Sequence, residues 1–384
     1  MASTAPIRIL RIIARMNVGG PAIQISELMV NLPPSLFEQR LVTGYCSDHE
    51  LDYLEVNNVE VASYKLSGFG RRLNLIADLR VLFAIKSQIK DFKPTVIHTH
   101  TSKAGFLGRL ASLMTGKKCI LVHTFHGHLL HGYFSWGKTT LLILAERFLA
   151  HYTDALISVG QQVMQELLQA KIGNREKFFV IGPGLKVKNL PPRDLVKNKL
   201  GIPKEKFIVT WLGRVVEIKA PERILEIALE CKLRGLDVHF VICGDGPILE
   251  ELKSKSVELN IPIQFLGWQT EIEPILSFSD LVLLTSENEG MPVSLIQAQM
   301  AGIPVLTTDV GSASEVMINE ESGFCLKYSA KDFVDKIEIL IGNPEMQKLF
   351  GKVGRSNALE KFSHSRLVSD HLKLYTTLTS QSNS

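Results

Sequence analysis

The chain has 384 residues, 45% hydrophobic and 21% charged, with 43 Lys and Arg against 39 Asp and Glu. That length predicts two domains of the usual ~100 to 200 residues, and no apolar run reaches the ~18 to 20 residues that would span a bilayer. Arginines interrupt Met1 to Ala14 where a signal peptide needs an unbroken apolar core, and the five scattered cysteines form no CxxC pair, so a reducing cytoplasm is expected. Residues 1–190 hold 22 Lys and Arg against 13 Asp and Glu, and the remainder 21 against 26. A basic first half suits an anionic lipid surface or an anionic acceptor, hence a peripheral position at a membrane. The cations are dispersed and no nucleic-acid-binding motif accompanies them, so nucleic acid is disfavoured as a partner.

The first predicted strand, Ile7 to Ile13, gives way to Asn17-Val-Gly-Gly-Pro-Ala22 and then to a helix with Ile25, Leu28, Met29 and Leu32 on one face. A dinucleotide fingerprint needs a third, spaced glycine followed by an acid at the end of the next strand, and neither is evident. The stretches Gly70 to Lys90 and His131 to Lys138 set apolar and aromatic groups beside cations. They fit a helix packed on a sheet or one lying at a membrane interface. Six of the eleven histidines fall between His98 and His131. Metal ligation, catalytic placement and chance enrichment at strand ends all offer an explanation, but no acidic residue occurs from Thr95 to Ala145, which argues against a metal.

Strands alternate with helical stretches from Ile7 to Ile181 and again from Phe207 to Leu340, predicting two parallel-sheet halves with helices on both faces. The expected domains are residues 1–185 and 204–362, joined by a Lys- and Pro-rich linker over 186–203. A last helix over 363–380 presents Val368, His371, Leu372 and Tyr375 on one face, and Ser380 to Ser384 should fray. In the second half, Gly213-Arg-Val-Val-Glu-Ile-Lys219 follows the strand Phe207 to Leu212. Arg214 offers a planar fork and Lys219 a mobile point charge to a leaving diphosphate. Cys243-Gly-Asp-Gly-Pro247 and Phe265-Leu-Gly-Trp268 follow two further strands. Ser286-Glu-Asn-Glu-Gly-Met-Pro-Val-Ser-Leu-Ile-Gln297 then follows Leu281 to Leu284. A helix that starts there aims the unsatisfied amides of Val293 and Ser294 at phosphate, and Gly290 permits close approach. Glu289 in the loop suits an attached sugar, and Gln297, about one turn on, suits a ribose. The segment reads as a nucleotide-sugar site.

These motifs resemble the retaining glycosyltransferases of family four, also called glycosyl transferases group 1, whose signature is two glutamates separated by seven residues. Glu289 matches the first, and Gln297 replaces the second. The resemblance implies a GT-B fold, with two Rossmann-like domains facing a central cleft and a C-terminal helix that returns to the first domain. It implies a metal-independent enzyme without a cofactor. The donor is a nucleotide-diphosphate sugar, a UDP-sugar being favoured, and the acceptor is a hydroxyl group, lipid-linked or on a glycan, in polysaccharide or glycoconjugate synthesis. His126, Glu289, Arg214 and Lys219 become the catalytic candidates. Gly19, Gly20, Gly213, Gly244, Gly267, Trp268, Gly290, Met291, Pro292, Val293, Ser294 and Gln297 become donor-binding candidates. His98, His100, Lys103 and His128 are candidates for the acceptor or the cleft wall. A nucleotide-sugar epimerase of the same fold and a weakly active binding subunit remain as alternatives. At the place where the family has Pro-Asn-Gly-Val-Asp this chain has Gly182-Pro-Gly-Leu-Lys186, a second departure.

Overall fold

The structure, a computed structural model, describes residues 5–47, 50–70, 74–116, 118–127 and 136–382. The chain divides into two compact units, one running to Leu185 and resuming at His364, the other from Lys186 to Ser363.

The first unit is built on seven parallel strands: β1 (Ile7–Arg15), β2 (Phe37–Gly44), β3 (Ser63–Leu66), β4 (Val96–His100), β5 (Ile120–Phe125), β6 (Ala155–Ser158) and β7 (Phe178–Val180). Their order across the sheet is β3-β2-β1-β4-β5-β6-β7. Central strands buried on both faces read as apolar runs, and β1 is apolar at six of its nine positions, the exceptions being Arg8, Arg11 and Arg15. The helix Leu75–Phe92 shows how the connections form. Asn74 caps it by accepting from the Ala77 amide at 3.1 Å, and Lys93 ends it in a left-handed conformation. Between them Val81, Leu82, Ile85, Ile89 and Phe92 pack under Leu10, Ile12, Ile97 and Leu121. The opposite face of the sheet, from Ile9, Val96, Ile120 and Val122, is covered by Leu367, Leu374 and Tyr375 of the last helix, His364–Ser382. The Gly182 to Lys186 departure has its reason here. A Cβ on Gly184 would lie 2.4 Å from Leu367 Cβ, and Arg366 donates to the carbonyls of Gly182 and Pro183 at 2.7 and 2.8 Å. The segment is a seat for the returning helix.

The second unit holds six parallel strands: β8 (Phe207–Leu212), β9 (Val238–Cys243), β10 (Ile263–Gly267), β11 (Leu281–Leu284), β12 (Val305–Thr308) and β13 (Gly323–Leu326). Their order is β10-β9-β8-β11-β12-β13. One face packs Val209, Trp211, Leu281, Leu283 and Leu306 against Ile224, Ala228, Phe333 and Ile337. The expected linker is not wholly irregular. It contains the helix Arg193–Leu200, which Arg193 fastens to Asp280 at 2.8 Å and whose Lys197 donates to the Lys204 carbonyl at 2.9 Å. Pro191 and Pro192 immediately precede this helix, with Pro192 as its N-cap.

Candidate active site

The order of the second sheet reverses between β8 and β11, and in open α/β sheets ligands bind outside the carboxyl ends of the strands at such a point. The two loops that leave there are joined. The Glu287 amide donates to Ile218 O at 2.9 Å, and the Thr285 hydroxyl donates to Ala220 O at 3.0 Å while accepting from the Trp211 indole at 3.2 Å. This brings Glu289 against Lys219, whose ammonium pairs with Oε1 of the carboxylate. Ser286 donates to the same oxygen at 2.6 Å, and Thr308 holds Ser286 in turn by donating to its carbonyl at 2.7 Å. Glu289 is buried. Both contacts fall on Oε1.

Directly beyond, the helix Val293–Met300 starts after Pro292 without a side-chain cap. Its first intrahelical amide bond runs from Ile296 to Pro292 O at 3.3 Å, so the amides of Val293, Ser294 and Leu295 have no acceptor within the helix. These donors lie at the positive end of the helix dipole, a chemistry that suits an anion. Gln297 is half-buried one turn further on, and Arg214 is exposed on the β8 loop. The floor is glycine backbone. Gly213 N donates to Cys243 O at 3.1 Å, Val215 N to Asp245 O at 2.9 Å and Gly244 N to Gly267 O at 2.8 Å. A Cβ on Gly244 would fall 1.8 Å from Gly213 O, so only glycine lets the loops meet. Trp268 stands 38% exposed at the end of this floor.

In the first sheet the order reverses between β1 and β4. The Gly19–Gly20 loop leaves β1 there and opens the helix Gly20–Asn31. It is braced by Val18 N to Leu51 O at 3.0 Å, Tyr53 N to Met16 O at 2.7 Å and an Arg15–Glu50 ion pair at 2.9 Å. At the neighbouring strand ends the histidines sort by face. His98 and His100 on β4 share the face of Arg11, whereas Thr99 and His123 turn to the other, where Thr99 Oγ1 meets His123 Nδ1 at 2.8 Å. Arg11 Nη1 donates to His98 Nδ1 at 3.1 Å and to the Tyr375 hydroxyl at 3.0 Å, and Tyr375 lies 2.7 Å from the same His98 nitrogen. Arginine only donates, so Nδ1 of His98 is an acceptor and its proton sits on Nε2, 2.7 Å from Thr124 Oγ1. His100 Nδ1 meets His126 Nε2 at 3.0 Å. Burial pushes His126 and His371 down to about 3, and His98, His100 and His123 well below the ordinary imidazole value, with the Arg11 charge adding to the shift at His98. All five are neutral at pH 7.

Three sequence expectations change. His98 is fully enclosed between Arg11, Tyr375 and Thr124, so it is a core residue and not part of a ligand-lined wall. His100 is also fully enclosed, with His126 as its hydrogen-bond partner. Lys103 pairs with Asp78 at 2.6 Å, both largely buried, which ties it to the helix Leu75–Phe92 rather than to an acceptor. His128 lies outside the described residues, as do His131 to Ser135 of the second amphipathic stretch. Among the described residues no three His, Cys, Asp or Glu are grouped to hold a metal ion. The sequence reading missed Ser286 and Thr308. Ser286 stands three residues before Glu289, a spacing that a turn brings into contact, but Thr308 gives no local signal.

Comparison with known proteins agrees with this geometry. The family described as glycosyl transferases group 1 matches residues 192–357, and the glycosyl transferase 4-like domain matches residues 19–184, so between them they take in most of the chain. The UDP-Gal:alpha-D-GlcNAc-diphosphoundecaprenol alpha-1,3-galactosyltransferase of Escherichia coli is 28% identical over 84% of this chain and 85% of its own length. The capsular polysaccharide biosynthesis glycosyltransferase CapM of Staphylococcus aureus is 23% identical over 81% and 84%. In fold, Anabaena HepE solved with UDP and glucose superposes with a TM-score of 0.83 over 97% of this chain and 100% of that one, at 17% identity. Two Rossmann-like units and these matches together make the chain a member of the group 1 glycosyltransferases of family four, a retaining GT-B enzyme that moves a sugar from a nucleotide-diphosphate sugar to a hydroxyl acceptor.

Proposed function

We propose that the donor is a UDP-hexose and the acceptor a sugar hydroxyl on a lipid-linked diphosphate, used at an anionic membrane surface. The observation that carries the site assignment is the meeting of Glu289, Lys219 and the uncapped helix start at Val293. In this reading the amides of Val293 and Ser294, with Arg214 and Lys219, take the charge that grows on the diphosphate as the bond from the anomeric carbon to its oxygen breaks. The acceptor oxygen bonds to that carbon from the face the diphosphate leaves, and its proton passes to the departing phosphate oxygen. Glu289 Oε2 accepts from sugar hydroxyls, and His126 contacts the sugar, as the family resemblance implies. Gly213, Gly244, Gly267 and Trp268 serve the base, and Gln297 the ribose. The E. coli relative, named for a UDP-galactose donor and a GlcNAc-diphosphoundecaprenol acceptor, supports the choice of both substrates.

The membrane part rests on one exposed face. Leu75, Ile76, Leu79 and Phe83 stand 55 to 85% exposed, and exposed Arg80 and Lys90 lie on the same helix. Leu141, Leu144 and Phe148 of the helix Trp136–Tyr152 are exposed as well. No helix among the described residues is long and apolar enough to cross a membrane. Apolar side chains interleaved with cations suit the interface of an anionic leaflet. Thermal shift with UDP, GDP and ADP tests the donor. UDP at about 100 times its dissociation constant should stabilise by about 2.7 kcal/mol, and stabilisation by GDP alone would refute the uridine assignment. Sedimentation with phosphatidylglycerol vesicles should bring the protein down and phosphatidylcholine should not, and an unchanged Leu79→Glu, Phe83→Glu variant would refute the face.

A further inference from the structure

His126 and His100 touch through one nitrogen each, so one ring donates and the other accepts. The far side of His100 decides which. Its Nε2 is enclosed and has no hydrogen-bond partner among the described residues, and the His98 ring lies against it with centroids 4.1 Å apart. A proton on that nitrogen would be an orphaned buried N–H, a rarer defect in folded proteins than an acceptor without its full set of partners. The proton of neutral His100 therefore belongs on Nδ1, where it is donated to His126 Nε2. His126, accepting at Nε2, then carries its own proton on Nδ1. The support for this arrangement is itself fixed, because Arg11, Tyr375 and Thr124 hold both nitrogens of the His98 ring against which the tilted His100 ring lies.

We propose that His100 is a positioning residue for sugar transfer, holding His126 as the Nδ1–H tautomer so that it meets the donor sugar as a hydrogen-bond donor to a hydroxyl or ring oxygen. This rests on the reading that His126 contacts the donor sugar. A His126 locked in the other tautomer would offer a lone pair there and would select for hydroxyl donors instead.

Protein labelled with 15N at histidine, examined at neutral pH by long-range proton–nitrogen correlation, reads the tautomer without any assay of activity. The His126 signals are identified by their loss in His126→Gln. The expected wild-type pattern has the proton on Nδ1 of His126 and on Nδ1 of His100. In His100→Leu the His126 ring should lose that preference, and kcat for transfer from UDP-hexose should fall about 10- to 100-fold, as a misplaced reacting contact does, with donor KM changed by less than about threefold. His100→Asn, whose amide can donate from a similar place, should recover most of kcat. A wild-type His126 protonated on Nε2, or an unchanged kcat in His100→Leu, overturns the proposal. Full kcat in His126→Ala overturns the sugar contact and with it the positioning role, and that failure is distinct because the tautomer is measured independently of turnover.

Discussion

Mild acid should open the first unit before the second. His98, His100, His123 and His371 are fully enclosed in it, and burial lowers every one of them, His371 to about 3. An unfolded histidine titrates near ~6.5, so between about 6.5 and about 3 the unfolded chain binds more protons than the folded one. Stability is therefore fully present above the unfolded value and is lost as pH falls toward the folded one. For His371 the linkage between pH 7 and pH 5 amounts to ~2 kcal/mol. Burial of His98, His100 and His123 acts in the same direction, against a typical domain stability of ~5 to 15 kcal/mol. The second unit holds one histidine, His239, which is only partly buried. Hydrogen exchange read by peptide mass spectrometry at pH 7.5, 6 and 5, corrected for intrinsic rates, separates the two. Protection of β4 and β5 should weaken severely by pH 5 while β8 and β11 persist. Equal protection of β4 and β5 across that range would refute the claim that these rings are held neutral by burial.

Arg214→Ala should lower turnover by at least about 100-fold, the usual loss when a transition-state charge contact is removed, with little change in stability because the side chain is exposed. Lys219→Ala should lose turnover similarly and also cost roughly 1 to 3 kcal/mol in denaturant unfolding, since it strips the cation from buried Glu289. Near wild-type transfer by either would exclude the phosphate role. Gln297→Glu should tighten nucleotide diphosphate binding by up to ~1 to 2 kcal/mol in calorimetric titration if the carboxylate accepts from ribose hydroxyls; weaker binding would mean that the amide NH2 is the group used. Exhaustive chelation should leave transfer intact, and recovery by added manganese after a loss would return the histidines to a metal reading.

Much of the fold was legible because parallel strands buried on both faces leave apolar runs, and several of these runs end in a glycine loop, as β1 and β8 do. The loops after β8 and β11 could be read as a phosphate site since donors, glycines and cations lie within a few residues of each other. The histidine cluster could not be sorted in the same way. Arg11, His98 and Tyr375 meet across separations of 87, 277 and 364 residues, and period alone does not say which sheet face a helix from the far end of the chain will cover. Lys103 misled for a related reason: a cation near a strand end looks free until Asp78, on another helix, is seen beside it. The helix at Arg193–Leu200 was masked by the prolines that begin it.

The covering of the first sheet by Leu367, Leu374 and Tyr375 imposes an order on biosynthesis. A ribosome delivers β1 through β7 long before it delivers the helix that shields Ile9, Val96 and Val122, so the nascent first unit must wait with that surface open. The stretch from Lys186 to Ser363 is continuous in the chain and can close its own core as soon as it emerges. Folding of the first unit should thus finish only after the second has emerged, the helix His364–Ser382 acting as its closing piece.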